Sequence, residues 1–315
     1  MSRLYLITGF LGSGKSTFLK NFIHLFPDRK MQLIINEFGR EGIDGTLLAE
    51  LGIGMEEITG GSVFCSCRLD QFEQALTTFV LPDTEVVLVE ASGLSDPTGV
   101  RRLFADRDRF PDIEYAGAVC LVDAVRFPKV YAKSRACVRQ LAASDVALIN
   151  KTDLASADQL EETRGLVEGQ RPDLPVIETT FGQVDRKLLT LLQAQQEKAA
   201  ARKGVDLEMP LIADITTRKL MVRIRPQMSA YSLKKFIEMF SDATFRVKGF
   251  VETAEGMALV NCTGNVVSVE PWEGEVPGHL AGKLIVLSGA GMPAKKRVRE
   301  AAAWYPEEVA EIIEG

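Results

Sequence analysis

Along the first two-thirds of the chain, short apolar runs alternate with stretches whose apolar positions recur at helical spacing. Strand-like runs fall at 3–8, 31–35, 86–90, 116–122, 145–149 and 175–178. Between them, 17–26, 70–79, 157–168 and 184–201 carry the three-to-four-residue period of amphipathic helices. Continuous apolar runs belong to strands covered on both faces, and their alternation with helices predicts a mainly parallel sheet. The pattern then changes. Residues 193–204 are polar and rich in alanine and lysine, and read as a helix end and linker into 205–210. Beyond it, strand-like runs at 220–225, 243–252, 257–261, 266–270 and 283–287 follow closely, with one helix at 232–240. The expectation is an α/β domain over 1–204 and a smaller α+β domain over 205–315 with an antiparallel sheet. A chain of 315 residues also exceeds the ~250–300 at which single cores stop growing.

The first strand-like run, Leu4-Tyr5-Leu6-Ile7, leads into Gly9-Phe10-Leu11-Gly12-Ser13-Gly14-Lys15-Ser16-Thr17. Every defining position of a phosphate-binding loop is filled. The strand delivers the chain to a tight turn, and the helix beginning near Lys15 points its free N–H groups at an anion. Gly9, Gly12 and Gly14 let the backbone close around oxygens, and Ser13 and Thr17 complete the expected phosphate-contacting set. Lys15 is expected on the β- and γ-phosphates and Ser16 on Mg²⁺. With a strand before it and a helix after it, the segment is read as binding a nucleoside triphosphate rather than as a bare glycine turn. The class this defines is a P-loop NTPase domain.

Downstream, Asp145-Val146-Ala147-Leu148-Ile149 is a second short buried-strand pattern, and it ends in Asn150-Lys151-Thr152-Asp153. An aspartate at a strand end can accept from guanine N1–H and its exocyclic amine. Adenine offers no such pair of donors, so the carboxylate would be left unpaired. Asp153 is therefore expected to read guanine, the stem of Lys151 to cover the base and Asn150 to brace the loops. The nucleotide is read as GTP.

Two segments between these loops are suited to sense the γ-phosphate. Asn36-Glu37-Phe38-Gly39, followed by Gly42-Ile43-Asp44-Gly45, comes after the second strand-like run. Glu90-Ala91-Ser92-Gly93 ends the run 86–90. There Glu90 would hold a water of the Mg²⁺ shell, and Gly93 would give its N–H to the γ-phosphate. Asp123, ending another apolar run, is a rival acid. Glu90 is preferred because it alone has a glycine at the switch spacing. Lys15, Glu90 and Gly93 are the expected catalytic groups.

Composition narrows the setting. The chain is 46% hydrophobic and 25% charged with a net charge of −6, which argues against nucleic acid or an anionic membrane as the main partner. Apolar stretches fall short of the ~18 residues a membrane span needs, and no leader pattern precedes the first strand. Five mostly scattered cysteines suit a reducing, cytoplasmic setting. Cys120, Cys137 and Cys262 read as core thiols, and His24 and His279 as surface or boundary residues. Arg101, Arg102, Arg107 and Arg109, interleaved with Asp106 and Asp108, read as a solvated helix face and loop, and so do Lys295, Lys296, Arg297 and Arg299.

The phosphate loop, Asn36-Glu37-Phe38-Gly39, Glu90 through Pro97 and Asn150 through Asp153 together resemble the CobW-type GTPases, relatives of the nickel-insertion GTPases of urease and hydrogenase. Val222–Pro226 and Phe245-Arg246-Val247-Lys248-Gly249 resemble that family's second domain, so the likeness covers nearly the whole chain. It implies a GTP-hydrolysing chaperone that gates delivery of a metal ion, or of a corrinoid-type metal cofactor, to a client metalloprotein or corrinoid protein.

One motif departs from the family. Its usual Gly-Cys-x-Cys-Cys is here Gly61-Ser62-Val63-Phe64-Cys65-Ser66-Cys67, so Ser62 and Phe64 replace two thiolates. Serine and phenylalanine are poor ligands for a soft metal. Two readings stay open. Cys65 and Cys67 chelate Zn²⁺ or Co²⁺ together with Glu37 or Asp44, or both cysteines simply pack under the first switch segment. A second functional class also stays open, namely a phosphotransferase acting on a small molecule such as a cobalamin precursor.

Overall fold

In a computed structural model of the protein, the described residues are 1–35, 53–57, 69–104, 109–201, 217–264, 266–274, 276, 281–289 and 291–314. The chain divides into two compact units, Met1–Asp214 and Ile215–Gly315. The boundary expected at 204/205 falls among residues outside those described.

The first unit is built on seven parallel strands. They are β1 (Ser2–Gly9), β2 (Met31–Ile35), β3 (Gly54–Glu57), β4 (Val86–Glu90), β5 (Ile113–Asp123), β6 (Val146–Asn150) and β7 (Val176–Glu178). Their order across the sheet is β3-β2-β4-β1-β5-β6-β7. Strands β2, β4 and β6 are buried at every position, as their apolar runs require. Successive side chains then serve two separate layers. Tyr5, Leu33, Leu88 and Leu121 join the core containing Phe18 and Phe22. Leu6, Ile34, Val87 and Val89 join the one containing Phe72 and Val100.

The covering helices are α1 (Lys15–Ile23), α2 (Leu69–Phe79), α3 (Thr98–Leu103), α4 (Phe127–Tyr131), α5 (Arg135–Ala142), α6 (Ala157–Gln170) and α7 (Lys187–Ala201). The period does not reveal α3, α4 or α5, because five to eight residues are too few to establish one. Strand β3, Gly-Met-Glu-Glu at the sheet edge, carries no apolar run for the same test to find.

Strand β1 lies between β4 and β5. The chain leaves it for β2, on one side, and only later crosses to β5, on the other. The carboxyl end of β1 is therefore a switch point of the sheet, where open α/β sheets bind their ligands. The loops following β4, β5 and β6 open on the same edge.

In the second unit, β8 (Thr217–Ile224), β9 (Arg246–Thr253), β10 (Gly256–Thr263), β11 (Val266–Pro271), β12 (Lys283–Gly289) and β13 (Val309–Glu314) form an antiparallel sheet ordered β11-β10-β9-β12-β8-β13. Helices α8 (Ala230–Glu238) and α9 (Ala294–Ala302) close one face over Val222, Val251, Val260 and Val286. Lys295, Lys296, Arg297 and Arg299 lie on the exposed side of α9, as expected. Strand β13, an exposed and acidic edge, is not evident from the sequence pattern. Among the described residues, no helix is long and apolar enough to cross a membrane.

Candidate functional site

The phosphate loop occupies the switch point. Gly9, Gly12 and Gly14 all have positive φ (137°, 77° and 99°). Gly14 is required twice over, because a Cβ there would also sit 2.4 Å from Asn150 Nδ2. Gly14 is the N-cap of α1 and offers no side chain to the first-turn N–H groups. Those donors, aligned with the positive end of the helix dipole, suit an anion. Ser13 is buried, and its Oγ has no protein partner. A concave backbone, free first-turn donors and an orphaned buried hydroxyl together fit a polyphosphate.

Lys15 is buried, and its ammonium donates to the carbonyls of Gly9 at 3.0 Å and Phe10 at 3.4 Å, so it lies across the loop. Ser16 Oγ donates to the carboxylate of Glu90, 3.4 Å from Oε1 and 3.5 Å from Oε2. Glu90 ends β4 and is 2% exposed. A hydroxyl and a carboxylate converging at the mouth of the loop are hard oxygen donors of the kind Mg²⁺ takes. Thr17 is exposed on the first turn of α1.

Gly93 packs on the phosphate loop, where a Cβ would lie 2.8 Å from Leu11 N. Gln140 of α5 donates to the carbonyls of Gly93 at 3.0 Å and Ser95 at 3.3 Å. Its neighbour Arg139 forms a largely buried ion pair with Asp96. Helix α5 therefore grips the segment that follows Glu90. Nothing in the local sequence around Gln140 signals this, because its partners lie 45 and 47 positions away.

The base-reading candidates sit on the adjoining edge. Asn150 Nδ2 donates to the Ser13 carbonyl and its Oδ1 accepts from Gly182 N–H, both at 2.9 Å. Lys151 adopts φ +64°, and its ammonium donates to Gly12 O at 2.6 Å and Asp123 Oδ2 at 2.7 Å. Asp153 is exposed, in a short 3₁₀ turn. The rival acid Asp123 is thereby engaged. Besides Lys151, its Oδ1 accepts from Val125 and Arg126 N–H at 3.0 Å each.

Glu37, Asp44, Cys65 and Cys67, the expected transition-metal set, lie outside the described residues. Among the described residues, no group of three or more His, Cys, Asp or Glu side chains could hold a metal ion. Cys120, Cys137 and Cys262 are buried thiols, and burial pushes the Cys120 thiol up to about 12. His24 is exposed. One expectation fails: Arg101 does not belong to a solvated face. It turns inward to the buried carboxylate of Asp145 at 3.3 Å, because that buried charge needs a partner. Arg109, by contrast, is a partly exposed partner of Glu73.

A parallel sheet with a phosphate loop at its switch point defines a P-loop nucleotide-binding protein. The family model for the CobW/HypB/UreG nucleotide-binding domain matches residues 3–178, and the chain belongs to that family. Among relatives, it is 33% identical over 193 residues to "Zinc chaperone YeiR" of Escherichia coli K12, covering 61% of this chain and 59% of that protein. It is 30% identical over 236 residues to "Zinc chaperone CobW" of a Sinorhizobium species, covering 64% and 66%. The chain thus spans about three-fifths to two-thirds of the length of these relatives. Among solved structures, the Zn(II)-bound YjiA GTPase from E. coli matches with a TM-score of 0.46 at 20% identity, covering 96% of this chain and 98% of that one.

Proposed function

We propose that this protein binds and hydrolyses GTP with Mg²⁺ in the cytoplasm, and that its nucleotide state gates delivery of zinc to a client protein. The observation that carries the reading is the convergence of Lys15, Ser16 and Glu90 at the phosphate loop, tied through Asn150 to the Asn150–Asp153 segment. Residues 1–204 are then the GTPase domain and 205–315 a CobW-like second domain.

Each residue has a role in that chemistry. The first-turn N–H groups of α1 bind phosphate oxygens, and Lys15 brings a positive charge to the β- and γ-phosphates. Ser16 ligates Mg²⁺ directly and Glu90 does so through water. Mg²⁺ supplies neutralisation of the charge that develops on the transferred phosphoryl group. Gly93 offers its N–H to the γ-phosphate and so senses its presence. Asp153 accepts from the guanine edge. No arginine finger is identifiable among these groups, so unassisted turnover is slow. An assisting group would add about a thousandfold or more.

For the cargo, the support is the two relatives, each a zinc chaperone. With Ser62 and Phe64 at two usual thiolate positions, Cys65 and Cys67 bind zinc weakly and exchangeably, completed by Glu37, Asp44, water or the client. Such ligands must be thiolates, so binding releases protons and weakens as pH falls.

The test is acceptor-free GTP hydrolysis, combined with zinc analysis of the GTP-analogue and GDP forms and a Cys65→Ser/Cys67→Ser control. We expect hydrolysis, and zinc occupancy that differs between the two states and disappears in the control. Equal zinc in parent and control contradicts the metal half of the reading. GDP formation only on addition of a small acceptor, with the phosphoryl group carried by that acceptor, points to a phosphotransferase instead.

A further inference from the structure

The loop after β7, residues 179–183, is held more firmly than a connection needs. Thr179 N–H donates to Ile149 O at 2.8 Å, and its own carbonyl accepts from Thr152 N–H at 3.3 Å and Thr152 Oγ1 at 3.2 Å. The hydroxyls of Thr152 and Thr180 lie 2.9 Å apart. Asn21 of α1 donates to the Phe181 carbonyl at 2.8 Å, and Gly182 N–H donates to Asn150. The loop is thus stitched to the phosphate-loop helix on one side and to the Asn150–Asp153 segment on the other.

At its tip stands Phe181, with φ +54° and 64% of its surface exposed. Both properties run against its chemistry. A bulky residue at positive φ is strained, and such strain persists only where the surroundings over-determine it. An aromatic ring gains most from burial, yet this one is carried by a rigid loop and left open beside the base-reading residues.

We propose that Phe181 is the stacking surface for the purine base of the bound nucleotide. This rests on the GTP-binding reading above and deepens it. A carboxylate such as Asp153 recognises the edge of a base and leaves its flat face unheld. Lys151 has its ammonium committed to Gly12 and Asp123, and offers only its stem. A ring pressed on the base holds the edge in register for Asp153. Stacking tolerates any purine, so Phe181 supplies affinity while Asp153 supplies discrimination.

The experiment measures GDP and GTP affinity by calorimetry for the parent, Phe181→Ala and Phe181→Trp. Phe181→Ala, at an exposed site, is expected to fold normally and to weaken both nucleotides by roughly ten- to a hundredfold. Its preference for guanine over adenine nucleotides should be unchanged. Phe181→Trp keeps tight binding, and its added fluorescence is quenched by GDP but not by tripolyphosphate, which has no base. A parent that binds GDP while Phe181→Ala binds it within twofold overturns this proposal alone, as does a Trp variant without quenching. A parent that binds no guanine nucleotide overturns the GTP reading as well.

Discussion

Asn150 reaches across 137 positions of sequence to donate its side-chain amide to the carbonyl of Ser13 at 2.9 Å. The other end of the same amide accepts from Gly182 N–H. One buried side chain therefore joins the phosphate loop, the Asn150–Asp153 segment and the loop after β7. Asn150→Ala leaves a carbonyl and an N–H unpaired, each costing about 1–3 kcal/mol where water cannot replace the bond. We expect a fall of about 2 kcal/mol or more in unfolding free energy, read from the urea midpoint, with weaker GDP binding. A loss below about 0.5 kcal/mol, within the range of ordinary surface substitutions, would mean that the bridge is not holding the loops.

Asp153 is exposed beside this bridge, free to meet a base edge. Asp153→Asn presents an amide N–H to the base's 2-position, which matches the carbonyl of xanthine better than the amine of guanine. GTP affinity should fall and XTP binding should appear. A variant that binds GTP as tightly as the parent and ignores XTP removes the Asn150–Asp153 segment from base reading.

Gln140 holds the Gly93 carbonyl at 3.0 Å, and so restrains the peptide adjoining the one that carries the Gly93 N–H. If Gly93 N–H senses the γ-phosphate, loosening that peptide affects hydrolysis and leaves the diphosphate complex alone. Gln140→Ala should lower kcat for GTP by an order of magnitude or more, as a lost positioning contact of about 1.4 kcal/mol implies, with GDP affinity unchanged. Equal losses in both would mark Gln140 as a general structural residue.

Asp145 gives the pH dependence a definite sign. Burial, the largest influence, pushes its pKa above the ordinary carboxylate value of 3.8, and Arg101 pulls it back only in part. The folded state therefore holds this proton more tightly than the unfolded chain does. Its contribution is fully present below the unfolded value and is lost as pH rises through the higher folded one. The unfolding free energy of the parent minus that of Asp145→Asn should decline as pH rises from about 3.8 and then level off. Paired urea titrations across that window check this, and a difference that grows with pH contradicts it.

What was legible in the sequence follows from distance along the chain. The phosphate loop and Asn150–Asp153 are contiguous strings, and the strands β2, β4 and β6 are apolar at four of five positions, so local pattern suffices for each. The clamps were not legible. Gln140 to Gly93, Lys151 to Asp123 and Asn150 to Gly182 join residues 47, 28 and 32 positions apart, which nothing but the fold brings together. Arg101 looked like part of a mixed-charge surface because its partner, Asp145, precedes a strand far downstream.

If Lys15, Ser16 and Glu90 form the proposed GTP-hydrolysing site, turnover depends on both Mg²⁺ and the Lys15 charge. Steady-state phosphate release from GTP, with Mg²⁺ or with chelator and for the parent and Lys15→Ala, tests it most directly. We expect slow release by the parent with Mg²⁺, none with chelator, and a fall of about a hundredfold or more in Lys15→Ala, the scale of losing one charged transition-state donor. Turnover that survives both the chelator and Lys15→Ala would contradict it.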